Sequence, residues 1–305
     1  MSGFDLDLYL DRLGIDPVPV TAQGLAPLQS AQIRRIPFED IDPFLGIAPG
    51  VGSEQVTDKI LHRGRGGYCF EQNRLFQDAL QALGFDVTRR LARVRKGAAR
   101  GGARTHLLLI CRIEGTDYLA DAGFGGPTPL EPLPLRMDTP QEATNGHYIL
   151  RDDPETGERV LLLRNPGEEF ALYGFDDAHV SDSDIEAGNF LCTHWPQAPF
   201  PHHLMVKGYD GDTPLGLMDR QVNEAGEKRL LTSAEALHHA LCVRLGLVLP
   251  DVVLVHRQQR HLPPEHARHV GRAAEHARHR VADGIVYGRR ELLCCPYRRK
   301  SQARR

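Results

Sequence analysis

A chain of 305 residues, 41% hydrophobic and 25% charged, can bury a substantial core and has the make-up of an ordinary globular protein. Its acidic start, Met1-Ser2-Gly3-Phe4-Asp5-Leu6-Asp7, lacks the apolar stretch of a secretion signal, and no run approaches the length of a membrane-spanning helix; a cytoplasmic protein without membrane contact is expected. From Asp251 to Arg305, thirteen Lys/Arg face five Asp/Glu, a balance of +8 that leaves −11 of the total −3 for residues 1–250, and such a basic end is more often a solvated extension than a nucleic-acid arm.

Residues 4 to about 85 read as helical. Leu6, Tyr9, Leu10 and Leu13 form an amphipathic stripe that stops at Gly14, and a second helix is expected from about Leu25 to Arg35. Pro37 blocks helix continuation, which puts Phe38 and Glu39 on an extended turn. Next comes Arg63-Gly64-Arg65-Gly66-Gly67-Tyr68-Cys69-Phe70-Glu71-Gln72-Asn73, followed by Phe76, Ala79, Leu80 and Leu83 at helical spacing and a stop at Gly84. Cys69 is thereby delivered to the first turn of a helix, where free backbone N–H groups and the positive end of the helix dipole favour a thiolate.

From Asp86 the pattern changes to short strand-forming runs: 87–94, 105–111 and 118–121, with Lys96 to Arg104 as a Gly- and Arg-rich loop and Glu114-Gly115-Thr116-Asp117 as a turn that makes a hairpin of the last two. Further strands are expected at 148–150, 160–163, 170–173, 203–206 and 215–218, and helices from Ser181 to Cys192 and from Ser233 to Leu245. Helices therefore bracket an antiparallel sheet or barrel. Beyond Pro250, Glu265-His266-Ala267-Arg268-His269 recurs as Glu275-His276-Ala277-Arg278-His279; carboxylates and cysteines are not placed to close a metal site with these histidines, so a helical or disordered basic tail is expected. The six cysteines (Cys69, Cys111, Cys192, Cys242, Cys294, Cys295) show neither zinc spacing nor disulfide density, so reduced thiols and no metal are expected.

Two downstream residues give Cys69 partners. His106 opens one strand of the hairpin and Asp121 closes the other; a thiol nucleophile needs an imidazole to take its proton, and the imidazole needs a carboxylate to fix its tautomer. The order Cys, His, Asp is that of papain-like and transglutaminase-like enzymes. A turn at Glu114 to Asp117 sets Asp121 opposite Ile110, about 13 Å along the strand from His106, so a bulge or a wider connection is expected to close the gap.

At this point the residues resemble a known family, the arylamine N-acetyltransferases. Its pattern Arg-Gly-Gly-x-Cys-x-Glu-x-Asn stands here as Arg65 to Asn73, and Pro37-Phe38-Glu39, Thr105-His106-Leu107-Leu108-Leu109, Asp121-Ala122-Gly123-Phe124-Gly125-Gly126 and Pro199-Phe200-Pro201-His202-His203-Leu204-Met205-Val206 look like further landmarks in family order. The resemblance implies an α+β fold: a helical subdomain at 1–85 carrying the nucleophile, a central antiparallel β-barrel at 86–195 carrying His106 and Asp121, and an α/β lid at 196–250. Residues 251–305 match no family motif.

The resemblance also implies ping-pong transfer from acetyl-CoA, through an acetyl-cysteine at Cys69, to an arylamine, arylhydrazine or N-hydroxyarylamine. His106 would act as base and then acid, with Asp121 orienting it. Phe38 and Phe124 would line the acceptor pocket, Gly123, Gly125 and Gly126 would admit the pantetheine and pyrophosphate, and Glu39 and Arg65 would form a structural ion pair. Glu71 and Asn73 would fix the helix start. An amide synthase of polyketide antibiotic biosynthesis uses the same scaffold and is the alternative, which a wide acceptor cleft would favour over a narrow pocket around Phe38 and Phe124. A binding protein with a vestigial triad is opposed by the intact Cys69, His106 and Asp121.

Overall fold

The structure, a computed structural model, describes residues 3–249; the repeated Glu-His-Ala-Arg-His segments, Cys294, Cys295 and the rest of the basic end lie outside the described residues. The chain opens with α1 (Leu6–Leu13), α2 (Ala22–Arg35), a two-residue strand β1 (Phe38–Glu39), α3 (Ile41–Phe44), and α4 (Ser53–Thr57), which runs into a π-helical turn at Asp58–His62. Then come α5 (Cys69–Leu83), β2 (Asp86–Val94), β3 (Arg104–Ile113), β4 (Thr116–Ala120), β5 (Leu133–Pro134), β6 (Gln141–Ala143), β7 (Gly146–Asp153), β8 (Glu158–Asn165) and β9 (Glu168–Phe175). The described part closes with α6 (Asp182–His194), β10 (Met205–Asp210), β11 (Thr213–Met218), β12 (Gln221–Glu224), β13 (Glu227–Leu230) and α7 (Ala234–His238), which ends in a second π-helical turn at His239–Arg244.

Two antiparallel sheets result. Eight strands in the order β5-β4-β3-β2-β9-β8-β7-β6 make a nearly closed barrel, and five in the order β1-β10-β11-β12-β13 make a smaller sheet. The expected apolar stripes explain the helical layer: Tyr9, Leu10 and Leu13 of α1, Leu25 and Leu28 of α2, and Leu75, Phe76, Ala79 and Leu80 of α5 are buried together against Leu109, Cys111 and Ala120 of the barrel. Buried amides then fix how these helices meet. The Tyr9 hydroxyl donates to Gln32 Oε1 at 2.7 Å, Gln32 donates to the Gln72 carbonyl at 2.9 Å, and Gln72 donates to the carbonyls of Ile36 and Pro37 at 3.1 and 3.0 Å.

Two expectations change. Phe38 and Glu39 form a strand rather than a free turn, pairing with Lys207 and Val206 at the edge of the smaller sheet. The β3–β4 hairpin is also tighter than expected: Ile113 pairs with Thr116, so the loop is only Glu114-Gly115, both left-handed (φ 50° and 80°), as a two-residue hairpin turn requires. Asp121 therefore leaves the ladder one position past the Leu109–Ala120 pair, two residues nearer to His106 than the wider turn would put it. The bulge lies on the opposite edge of β3, where Ala92 pairs with His106 and Arg93 with Arg104, leaving Thr105 as the extra residue.

Because Gly115 must hold φ 80° for this register, Gly115→Val is expected to cost about 1–2 kcal/mol, read as a lower urea midpoint at unchanged slope. An unchanged midpoint would show that the hairpin does not depend on this turn.

Candidate active site

Cys69 is the first residue of α5, and what holds it there is a buried charge network. Glu71 Oε2 accepts the Tyr68 N–H at 3.1 Å, securing the helix start, and its Oε1 meets Lys59 Nζ at 2.7 Å. Lys59 also contacts Asp42 at 2.7 Å, while Arg65 binds Glu39 at 2.8 Å and Asp42 at 2.9 Å, so three carboxylates face two cations in a water-poor space. Glu39 and Arg65 thus form the ion pair that the motif comparison anticipates. Burial, opposed by Lys59, lifts the Glu71 carboxyl to about 7. Lys59 and Asp42 escaped the sequence reading, since a lysine in a helical stretch reads as solvated until the fold encloses it.

His106 lies beside the thiol, and one of its ring nitrogens, Nε2, meets Asp121 Oδ2 at 2.8 Å, which leaves Nδ1 for Cys69. The Asp121 carboxylate accepts four hydrogen bonds: His106 and the Tyr173 hydroxyl (2.9 Å) on Oδ2, Asn73 Nδ2 (2.9 Å) and the Gly123 N–H (3.0 Å) on Oδ1. Asn73 does not fix the helix start; its amide also donates to the Leu107 carbonyl at 2.6 Å and accepts the Ala122 N–H at 3.0 Å, tying α5 to both strands of the hairpin. Gln29 receives the Asp121 N–H at 3.0 Å. Tyr173 and Gln29 were not singled out from the sequence; Tyr173 stands in an apolar strand run and Gln29 in a helix, where neither residue type signals a buried polar partner.

The electrostatics follow from burial. Loss of solvent would lower the His106 pKa, but the Asp121 charge and hydrogen bond outweigh it and carry the imidazole up to about 10, while His106 in turn holds Asp121 below the usual carboxylate range despite burial. The thiol departs from expectation. Burial pushes the Cys69 thiol up, and the hydrogen bond and charge of His106 pull it down without cancelling that push. Cys69 is only 4% exposed, so exclusion of water outweighs its place at the helix start. Its sulfur lies 3.5 Å from the Thr105 carbonyl oxygen, which Cys192 Sγ also approaches, at 3.7 Å; the Thr105 bulge sets this shared acceptor, and no spacing in the sequence announced Cys192. All four described cysteines are free thiols.

Cys69 and His106 open onto a cavity of about 940 Å³ whose wall includes Phe38, Phe124, Gly125 and Gly126. The Phe124 ring packs 5.0 Å from His106 and 5.1 Å from Tyr173, and Phe38 lies 6.2 Å from Phe200. Gly125 is left-handed (φ 66°), and a Cβ there would fall 2.3 Å from Phe38 Cγ, so only glycine lets the two segments meet. Gly123 is not on the cavity: its N–H serves Asp121, and a Cβ would stand 2.7 Å from Asn73 Nδ2, which makes it a packing contact with α5.

Comparison with known proteins agrees with this architecture. The sequence model of an N-acetyltransferase family matches residues 21–253. The arylamine N-acetyltransferase / N-hydroxyarylamine O-acetyltransferase of Salmonella typhimurium is 38% identical over 208 residues, 68% of this chain and 73% of its own, and the arylamine N-acetyltransferase of Mycolicibacterium smegmatis is 33% identical over 81% and 94%. Among solved structures, the Mycobacterium marinum arylamine N-acetyltransferase superposes with a TM-score of 0.77 at 33% identity, covering 82% of this chain and 97% of that one, and the same enzyme has been solved in complex with CoA. Fold and sequence together define an acetyl-transferring enzyme. The chain belongs to the arylamine N-acetyltransferase family.

Removing one cation from the buried network leaves carboxylates unpaired, so Lys59→Met is expected to cost about 3–5 kcal/mol in chemical denaturation, and a loss under about 1 kcal/mol would show that the network is not closed. The His106–Asp121 pair predicts a pH signature. The imidazole pKa rises from about 6.5 unfolded to about 10 folded, so its stabilisation is complete below pH 6.5 and disappears as pH climbs through 10. The difference in unfolding free energy between the parent and His106→Gln should shrink across that window; a constant difference would mean that Asp121 does not hold an imidazolium.

Proposed function

We propose that Cys69 carries an acetyl group from acetyl-CoA to the nitrogen of an arylamine, arylhydrazine or N-hydroxyarylamine, with His106 moving the protons and Asp121 orienting it. One observation carries this conclusion: a buried thiol and an imidazole line one cavity with an aromatic neighbouring surface, and a carboxylate stands behind the imidazole. The M. marinum relative's complex with CoA and the acceptors named for the Salmonella relative support the choice of donor and acceptor.

In the first half-reaction His106 Nδ1 already holds the proton of the Cys69 thiol, as an imidazolium beside Asp121, and the thiolate attacks the thioester carbonyl. The carbon–sulfur bond to CoA then breaks, and the departing sulfur takes the proton from His106, leaving acetyl-Cys69 and free CoA. In the second, the arylamine nitrogen attacks the acetyl carbon, gives a proton to His106, and the Cys69 sulfur leaves and recovers it. An aryl nitrogen is poorly basic and stays unprotonated near neutrality, so its lone pair is available. His106 supplies the proton affinity that the thiol's position at the helix start does not, because Asp121 favours its protonated form. Tyr173 and Asn73 act through Asp121 and are positioning residues.

The division into a nucleophile-bearing helical part, a barrel with His106 and Asp121, and a lid at 196–250 belongs to this proposal, with Phe38 and Phe124 gripping the acceptor ring. A cavity of about 940 Å³ is larger than an arylamine needs, and its extra volume accommodates the pantetheine arm that occupies the site first.

With acetyl-CoA and a panel of arylamines and hydrazines, the parent protein is expected to release CoA and to gain the mass of one acetyl group on Cys69, whereas Cys69→Ala should release none above background. Acetylation that survives Cys69→Ala would overturn the mechanism.

A further inference from the structure

We propose that Cys192 and Cys69 together form a dithiol site for a trivalent arylarsenical, an aryl arsonous acid, with both sulfurs on arsenic and the aryl ring among the phenylalanines of the cavity. The site needs only these two thiols at one cavity wall and does not depend on acetyl transfer.

The pair is brought together by α6. Gly188 has no room for a side chain: a Cβ there would stand 2.6 Å from Phe70 Cζ and 3.2 Å from the Arg104 carbonyl oxygen, so the helix lies directly against the first turn of α5 and the start of β3. Asn189 fastens it there, accepting the Tyr68 hydroxyl and donating to the Pro49 carbonyl at 3.0 Å. Cys192 follows one turn after Gly188 and so projects from the same face. It belongs to one buried cluster with Tyr68, Cys69 and Phe70. The Thr105 carbonyl oxygen lies 3.5 Å from the Cys69 sulfur and 3.7 Å from that of Cys192, which makes the two thiols neighbours. A buried cysteine often packs simply as a small apolar residue. Cys192 differs from that case because it lines the cavity beside a second thiol, whereas Cys111 and Cys242, the other described cysteines, do not reach the cavity.

Two thiols at an apolar wall select the ligand class. Among the described residues no group of three or more His, Cys, Asp or Glu side chains could hold a metal ion, so a cation that wants four such donors, as zinc does, is not served. Trivalent arsenic bearing an aryl group needs only two further ligands and, as a soft centre, prefers sulfur to oxygen. The ring has a place as well: Phe38 and Phe200, 6.2 Å apart, pack against the cluster that holds both thiols, and Phe124 lines the same cavity. Condensation forms two As–S bonds and breaks two As–O bonds. Each oxygen leaves as water with the proton of one thiol, that of Cys69 coming through His106, so no electron changes hands and no oxidant is required. Burial pushes the Cys192 thiol up to about 12, which suits this step, because a neutral thiol condenses with As–OH, whereas a disulfide with Cys69 would call for a thiolate and an oxidant.

The test uses phenylarsine oxide, which hydrates in water to the arsonous acid, and the full chain carrying Cys294→Ser and Cys295→Ser, because those adjacent cysteines offer another pair of thiols. Trp195, the chain's single tryptophan, lines the cavity close after Cys192 in sequence, so its fluorescence reports occupancy. Intact mass should show one phenylarsenic unit per chain, in an adduct that excess 2-mercaptoethanol leaves in place and 2,3-dimercaptopropanol removes. Cys192→Ser and Cys69→Ser, each added to this background, should weaken binding by about a hundredfold, as for the loss of one of two linked attachments, and should let the monothiol strip the ligand. Arsenic X-ray absorption on the protein with both thiols intact should count two sulfur neighbours, a readout that stands even where a variant fails to fold. A single sulfur neighbour, or an affinity unchanged in Cys192→Ser, would overturn the site. No readout uses acetyl-CoA, so that failure leaves the acetyl-transfer reading untouched.

Discussion

The carboxylate of Asp121 is the point at which four segments of the chain are forced to agree. It is nearly inaccessible to water, so its charge has to be met within the protein, and the donors come from α5, β3, β9 and the turn just after β4. An ionised carboxylate without such partners would cost several kcal/mol or take up a proton. Satisfying it therefore fixes the helix bearing Cys69 against the strand bearing His106. The placing of Cys69 beside His106 and the packing of helices on the barrel are two results of one electrostatic requirement.

A second buried set of charges does similar work on the other side of Cys69. Glu39, Asp42 and Glu71 surround Lys59 and Arg65, and with one more carboxylate than cations the set has a natural place for an extra proton on Glu71 near neutral pH. The two sets differ in purpose. Around Asp121, one negative charge gathers donors from four segments and holds His106 against α5; around Lys59, several charges brace the loop before Cys69.

Much of this was legible in the sequence because the relevant signals are local. The stripes at 6–13 and 76–83, the strand runs after Asp86 and the order Cys69, His106, Asp121 each depend on spacing, and the fold keeps them. What the sequence hid was set by register and enclosure. The hairpin loop proved to be Glu114-Gly115, which halved the offset between His106 and Asp121 that called for a bulge. Phe38 and Glu39 were readable as extended but not as a partner of Lys207 and Val206, which follow more than 160 residues later. Lys59, Tyr173 and Cys192 carry no motif at all, since their roles exist only once distant elements close around them. Gly123 sat in a matching motif and still went to a different task, because its N–H is taken by Asp121.

The two residues of β1 have a consequence for how such a protein can be altered. On one side the strand pairs with β10; on the other, the Glu39 N–H donates to the Gly67 carbonyl at 3.0 Å and the Gly67 N–H to the Pro37 carbonyl at 3.3 Å, two residues before Cys69. Backbone hydrogen bonding therefore runs unbroken from the smaller sheet into the loop before Cys69. The segment after Pro199 is not an interchangeable module: grafting it from a relative, or recombining two genes between barrel and sheet, would need Pro37 to Asp40 to travel with it, although these residues lie at the opposite end of the described chain.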